Sequence, residues 1–113
     1  MAIRELDRKR IERELTEYCD RVPQHVRHQL RNGFRISGSD VVLFETRPVW
    51  DNPTEWMEHP VARFRYNATR ELWQLYCQLR DLKWHSYEPL PAAGSFEILL
   101  REVDRDPTGI FWG

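Results

Sequence analysis

His85 is the residue of this 113-residue chain best suited to acid–base chemistry, because an imidazole titrates near neutral pH. It stands in the run Lys83-Trp84-His85-Ser86-Tyr87, whose alternation is typical of a β-strand and predicts that Lys83 and Tyr87 share its face. We expect His85 to neighbour Arg63, Arg65, Tyr76 and Glu45 across the sheet. Such a cluster could bind a phosphate or carboxylate, with His85 or Glu45 moving a proton. His85 and Glu45 are therefore the candidate catalytic residues. Polar cross-strand pairing on a wet sheet face gives the same pattern without catalysis, and we favour that interpretation.

Arginine and tyrosine side chains offer a second chemistry on the same predicted face. Cations beside flat rings are the combination that binds single-stranded nucleic acid. The net charge of −1 and the acidic segment after Tyr87 argue against such a role, because nucleic-acid binders usually carry clustered positive charge. Nucleic acid is therefore a possible partner that the sequence does not favour.

The segment 48–60 (PVWDNPTEWMEHP) has no hydrophobic periodicity and is rich in proline, which predicts a long connecting loop. We expect its two tryptophans, Trp50 and Trp56, to pack back over the core edge, since large rings lose much by facing water. Exposed instead, they would form a binding patch. Aromatic and arginine enrichment is typical of protein interfaces, so an unidentified protein partner or self-association is the favoured function. The candidate binding residues are Arg63, Arg65, Tyr76, Lys83, His85, Tyr87, Trp50 and Trp56.

Metal and cofactor sites find little support in the residue spacing. His25 and His28 lie three apart without a third nearby ligand, and Cys19 and Cys77 form no CxxC-type pair. The chain has no phosphate-cradling glycine loop and no nucleophile motif. We predict no metal and no cofactor, and two reduced cysteines acting as small apolar residues.

The candidate residues are positioned by a predicted three-stranded meander between Val61 and Tyr87. Alternation puts two sets of side chains on one apolar face: Ala62, Phe64 and Tyr66 of the first strand, and Trp73, Leu75, Cys77 and Leu79 of the second. The same alternation puts Val61 with Arg63 and Arg65 on the opposite, polar face. The predicted strands are 61–66, 71–79 and 83–87.

The remaining elements complete an α+β fold. We predict an antiparallel sheet of about five strands in meander order, with N- and C-terminal helices packed on its apolar face. The apolar ending Phe111-Trp112 should be fixed against the core. The other predicted elements are an amphipathic helix over 3–22, a short helix over 24–32 closed by Asn32-Gly33, strands over 34–36 and 41–47, and a helix over 96–103 capped by Ser95.

The length predicts one domain, 1–113, with a helical part (1–32), a sheet (33–87) and a C-terminal helix with an aromatic tail (95–113). No apolar run approaches the ~20 residues that span a bilayer, and the charged N-terminus does not look like a signal peptide. The sequence therefore favours a cytoplasmic protein without membrane contact.

Several blocks together resemble a small bacterial family of unknown function, domain-of-unknown-function family 3024. The resemblance is carried by Arg47-Pro48 before Trp50, PVARFRY (60–66), LWQLY (72–76), LKWHSYEP (82–89) and VDRDPTGIFWG (103–113). It covers most of the chain from about Pro23 onward. It implies a small, single-domain cytoplasmic protein and supplies no activity.

Overall fold

The computed structural model describes residues 3–113 and contains two helices and one antiparallel sheet. The strands follow the order β1-β2-β3-β4-β5, and β6 pairs with β4 at the same edge as β5. The predicted α+β class and meander order are confirmed. The elements are α1 (Glu5–Cys19), a 3-10 turn (Gln24–Val26), β1 (Arg31–Ser37), β2 (Asp40–Val49), β3 (Asn52–Asn67), β4 (Leu72–Gln78), β5 (Trp84–Ser86), β6 (Ala92–Ala93) and α2 (Phe96–Arg105).

Both helices lie on one face of the sheet, and the core fills the space between the two layers. In α2, apolar residues recur at helical intervals and three of them are buried. The Phe96 ring lies 4.7 Å from the Phe64 ring and 5.3 Å from the Trp73 ring, measured between centroids. The fully buried core side chains include Ile11, Leu15, Val41, Leu43, Phe64, Leu75, Phe96, Leu99 and Val103.

The sheet side chains that point away from both helices form what we call the open face. No helix or strand among residues 3–113 packs over this face. Directly paired residues on adjacent antiparallel strands share a face, so the register identifies its members. Val42 pairs with Arg63, and Arg63 pairs with Tyr76, which places all three on the open face.

The segment 48–60 is a β-hairpin and not the predicted loop. β2 and β3 remain paired through Pro48 and Trp56 and, after a register shift, at Val49 and Asn52. These pairs lie well beyond the last pairs with β1 (Arg31 with Thr46) and β4 (Cys77 with Ala62). We call this projecting two-stranded part, residues 47–60, the arm. Because neither side of the arm is covered by a core, its sequence lacks apolar alternation. Its prolines are tolerated because its outer edge pairs with no other strand in the described chain.

A β-bulge at Val61 separates the arm from the rest of β3. Leu43 pairs with Ala62 but the next residue, Phe44, pairs with Pro60, so Val61 is the extra residue. The Val61 side chain is buried in the core cluster. The prediction that Val61 shares a face with Arg63 and Arg65 is therefore wrong, because strict alternation does not allow for a bulge.

The predicted helix over 24–32 is also wrong, since only Gln24–Val26 form a 3-10 turn and Gly33 lies within β1. Two apolar residues, Val26 and Leu30, are too few to bury a helix face. Gly33 is required for another reason: a Cβ atom there would lie 2.7 Å from Cε2 of Phe44, its partner in β2. The glycine lets the phenylalanine ring lie flat on the backbone.

The aromatic tail is fixed as predicted. Phe111 is buried against Tyr87, and the Trp112 ring packs 6.4 Å from that of Tyr18. The Asp106 carboxylate accepts hydrogen bonds from the backbone N–H groups of residues 111, 112 and 113, at 3.0, 2.8 and 3.1 Å. Ser95 occupies the N-cap position of α2 without making a side-chain capping bond.

Candidate functional site

The predicted polar cluster is divided between the two faces of the sheet. Arg63, Arg65 and Tyr76 lie on the open face, as expected. His85 pairs with Cys77, whose side chain is buried on the helix side, so His85 belongs to that side. Tyr87 lies in the core, 1 % exposed, and its hydroxyl donates to Glu102 at 2.7 Å.

The cause of this division is the register of β5. Local alternation correctly groups residues 83, 85 and 87, but the pairing of Tyr76 with Ser86 places the even-numbered residues on the open face. Trp84, opposite Gln78, is therefore an open-face residue that sequence reasoning missed. Lys83 precedes β5, is exposed, and its backbone N–H donates to Asp81 at 3.0 Å.

The two candidate catalytic residues do not meet. Glu45 lies on β2 and His85 on β5, three strand spacings apart, or about 14 Å. Glu45 instead contacts Arg47 at 2.6 Å, and Nε2 of His85 lies 2.8 Å from Oδ2 of Asp81. The pKa of Asp81 is lowered chiefly by the hydrogen bond from the Lys83 backbone N–H and, to a smaller extent, by the hydrogen bond with His85. The prediction that Glu45 and His85 are neighbours is wrong.

On the open face, Arg63 forms a bidentate pair with Asp40, at 3.2 and 2.9 Å. Its guanidinium carbon lies 5.9 Å from the centre of the Tyr76 ring. The Nε atom of Arg65 lies 3.9 Å from Oδ1 of Asp40, which is farther than the Arg63 contacts, and the Arg65 side chain is 53 % exposed. Because Asp40 is already held by Arg63, the charge of Arg65 is the less compensated of the two.

Two further arginine–aromatic pairs extend this surface onto the arm. The Arg31 guanidinium lies 4.3 Å from the Trp56 ring centre, and that of Arg35 lies 4.9 Å from the Phe44 ring. Arg35 also binds Glu58 at 2.8 Å. Neither arginine was predicted as a binding residue. Arg31 fell within the predicted helix over 24–32, and Arg35 lay in the predicted strand over 34–36 without a recognised aromatic partner. Continuing the alternation of β1 back to residue 31 places Arg31 on the same face as Arg35.

The arm ends in the largest exposed apolar side chain of the described residues, Trp50, which is 92 % exposed. Met57 on the same arm is 53 % exposed. The prediction that the tryptophans pack on the core is wrong for Trp50, because the hairpin carries it away from the sheet. Trp56 is half-buried beneath Arg31.

Reactive groups elsewhere are poorly placed for nucleophilic chemistry. Burial raises the pKa of the Cys77 thiol, and burial with the nearby Asp20 charge raises that of Cys19 to about 11. Thiols of raised pKa are weak nucleophiles at neutral pH. Among residues 3–113 no three His, Cys, Asp or Glu side chains are grouped as metal ligands.

One carboxyl pair lies in a groove of about 330 Å³ between the two helices, where Glu14 of α1 faces Glu97 of α2. The pKa of Glu14 is raised to about 7, chiefly by burial and to a smaller extent by the hydrogen bond to Glu97 and the negative charge of Glu97. Oε2 of Glu14 is buried, and no donor from residues 3–113 reaches it. The raised pKa favours a protonated Glu14, which can donate a hydrogen bond to the carboxylate of Glu97.

The family model described as a domain of unknown function, DUF3024, matches residues 3–113, almost the whole chain. The chain belongs to this family. No curated protein and no solved structure matches it in the same comparisons. Neither helix of this DUF3024 domain, over the residues described, has the length and apolarity needed to cross a bilayer. No matched protein therefore assigns a role to the open face or the arm of this DUF3024 domain.

Proposed function

We propose that this DUF3024 domain is a non-enzymatic, cytoplasmic protein-binding module whose docking surface is the open face together with the arm. The observation that carries the proposal is an uncovered sheet face on which arginines and aromatic rings alternate, continuing to an exposed Trp50 at the tip of the arm.

The chemistry of this surface favours a protein as the ligand. Arginine, tyrosine and tryptophan are the residues that contribute most to binding energy at protein interfaces. Stacking on the rings holds the guanidinium groups of Arg31 and Arg35 in place before any partner arrives, so less side-chain entropy is lost on association. Burying Trp50 against a partner would recover a large apolar area that now faces water.

Catalysis is a weaker proposal, because His85 lies on the helix side of the sheet and not on the open face. His85 is half-exposed at the sheet edge beside Asp81, and Glu45 lies on a distant strand. A small acid–base or phosphate-ester enzyme would need these groups close to one substrate.

Single-stranded nucleic acid is the second candidate, and one observation favours it: Arg65 is exposed on the face that also carries Tyr76 and Trp84. Against it, the carboxylates of Asp40 and Glu58 lie within the same face and neutralise Arg63 and Arg35. Phosphate groups are repelled by such carboxylates, whereas a protein surface of mixed charge is accommodated.

Site-specific photo-crosslinking in cells tests the main proposal. A photoreactive amino acid replaces Val42 or Trp84 on the open face, and Ile98, on the exposed side of α2, serves as the matched control position. We expect protein adducts from the two open-face positions and none from Ile98. The adducts should be lost when Trp50→Ala is added.

Two results would overturn the proposal. Equal adducts from Ile98 would mean that the crosslinks report random encounters. The absence of adducts from both open-face positions would remove the docking surface altogether.

The nucleic-acid candidate is tested by fluorescence polarisation with labelled single- and double-stranded oligonucleotides at two salt concentrations. Arg65→Glu is the informative variant, because Arg63→Glu would also place a carboxylate against Asp40 and disturb the fold. Salt-sensitive binding that Arg65→Glu abolishes, and that Arg101→Glu on α2 leaves intact, would replace the protein-binding proposal.

A further inference from the structure

We infer that the protein bound by this surface is a second copy of the chain, with each arm lying along the open face of the other copy. This inference rests on the proposed function and specifies its partner. It is drawn from three features of the described residues: a projecting tip, a cleft at the opposite end of the sheet, and opposite charges on the two.

The cleft lies at the far end of β3 from the tip. It has a volume of about 370 Å³ and is lined by Ser39, Arg65, Tyr66, Asn67, Thr69 and Gln74. It is large enough for an indole ring, and the exposed Arg65 guanidinium can stack on that ring as Arg31 does on Trp56. The tip of the arm carries Trp50, the side chain that needs such a cover.

The geometry of a twofold pair brings these two ends together. When two open faces meet about an axis that runs across the strands, β3 of one copy lies antiparallel over β3 of the other. Each tip then reaches the end of β3 in the partner. A molecule 46 Å long and at least 23 Å across offers more than the ~800 Å² per partner that a stable interface buries.

The charges of the two ends are complementary. The tip carries the carboxylates of Asp51 and Glu55 and no basic residue between Pro48 and Glu58. The cleft end carries Arg65 and Arg70 with Glu71, while Asp40 is occupied by Arg63. In the antiparallel arrangement each acidic tip faces a net basic end, which favours this orientation over one with the two tips together.

Sedimentation equilibrium over a hundredfold range of concentration tests the inference. We expect the wild-type chain to form a dimer that Trp50→Ala weakens by at least about tenfold, as loss of a tryptophan seated in a partner's cleft does. Leu6→Ala, which removes a similarly exposed apolar side chain from α1, should leave the dimer unchanged.

A charge exchange gives a sharper test. Asp51→Arg alone and Arg65→Asp alone should each weaken the dimer, because every pair then joins like charges. An equimolar mixture of the two variants should dimerise about as well as wild type, since both contacts in the mixed pair again join opposite charges. A folding defect in either variant cannot produce this recovery, and circular dichroism of each variant confirms its fold.

The outcomes separate this inference from the proposed function. A monomer at every concentration, or a mixture no tighter than its components, overturns self-association. If open-face crosslinks to a different protein persist in that case, the binding module stands and its partner is that protein. If the crosslinks are absent as well, both proposals fail.

Discussion

Glu14 is a carboxyl group whose fold environment opposes its ionisation. Its ordinary pKa of 4.5 is raised to about 7, chiefly by burial and then by Glu97. A group whose pKa is raised on folding gives up protons more easily when unfolded, so the native state loses stability as pH rises from 4.5 to 7. Below pH 4.5 both states are protonated and the penalty vanishes.

Glu14→Gln should remove this pH-dependent loss. One pKa unit corresponds to ~1.4 kcal/mol, and solvent in the open groove reduces the effect, so we expect a stabilisation of about 1–2 kcal/mol above pH 7 and little change near pH 4. Urea unfolding at several pH values measures the difference. Glu17→Gln, an exposed position on the same helix, is the control. An identical shift at every pH would contradict the assignment of the proton to Glu14.

Gly33 is a second residue whose environment is specific. Gly33→Ala would force the Phe44 ring from its position, because the new methyl group would lie 2.7 Å from Cε2. We expect a loss of about 1 kcal/mol in the free energy of unfolding, at the low end for overpacked sites, because the ring lies on the open face and can shift. Gly94→Ala, where no atom lies within 4 Å of the added Cβ, should be nearly neutral. In a Phe44→Ala background the Gly33→Ala penalty should largely disappear, which a double-mutant cycle measures.

At the scale of elements, α2 packs on the sheet through the three buried side chains Phe96, Leu99 and Val103, of which Phe96 is the largest. Phe96 is fully buried between Phe64 and Trp73. Phe96→Ala should lower the free energy of unfolding by about 3–5 kcal/mol, since it removes the ring and leaves a cavity. Ile98→Ala on the exposed side of the same helix should cost less than about 1 kcal/mol. Comparable losses for the two variants in chemical denaturation would show that α2 is not anchored in this way.

The sequence predicted those elements that bury a regular apolar stripe. The Phe96, Leu99 and Val103 series identified α2, and the alternation of Trp73, Leu75 and Cys77 identified β4 and its faces. A core imposes these periods on the chain, so they are visible in the residues themselves.

The elements that were missed have no core to impose a period. The arm projects beyond both neighbouring strands, and β1 begins with Arg31, Asn32 and Gly33, before its first apolar side chain at Phe34. The face of His85 and Tyr87 was misassigned because it depends on which β4 residue each β5 residue pairs with. Pairing across a turn that includes Leu82 with φ of +61° is a property of the assembled sheet and is not encoded in residues 83–87 alone.

At the scale of the whole molecule, the tail connects parts of the chain that are distant in sequence. Phe111 packs on Tyr87 after β5, Trp112 packs on Tyr18 of α1, and both are held by Asp106 at the end of α2. Asp106 itself has a positive φ of 46°, which aspartate and asparagine tolerate better than most residues.

Replacing Asp106 should therefore destabilise the entire fold, and the loss of stability should be larger for alanine than for asparagine. Asp106→Ala loses the three accepted hydrogen bonds and places alanine at positive φ, with an expected cost of about 3 kcal/mol. Asp106→Asn keeps one acceptor oxygen and the backbone preference and should cost about 1 kcal/mol. Thermal or urea unfolding gives the order. Asp104→Ala, an exposed residue 3.4 Å from Arg21, is the control and should change stability by less than about 1 kcal/mol.

The bulge at Val61 makes the length of β3 as important as its composition. Upstream of it Trp56 and Glu58 face the same way as Arg31 and Arg35, although each lies an odd number of positions from Arg63. Deletion of one residue there would remove the bulge and leave Ala62 and Pro60 paired with Leu43 and Phe44 in regular alternation. Trp56 and Glu58 would therefore keep their face, and the core would lose the Val61 side chain. A one-residue deletion within 57–61 should therefore be tolerated, because five residues now oppose the four β2 residues 44–47, whereas a two-residue deletion should reverse the faces of the arm.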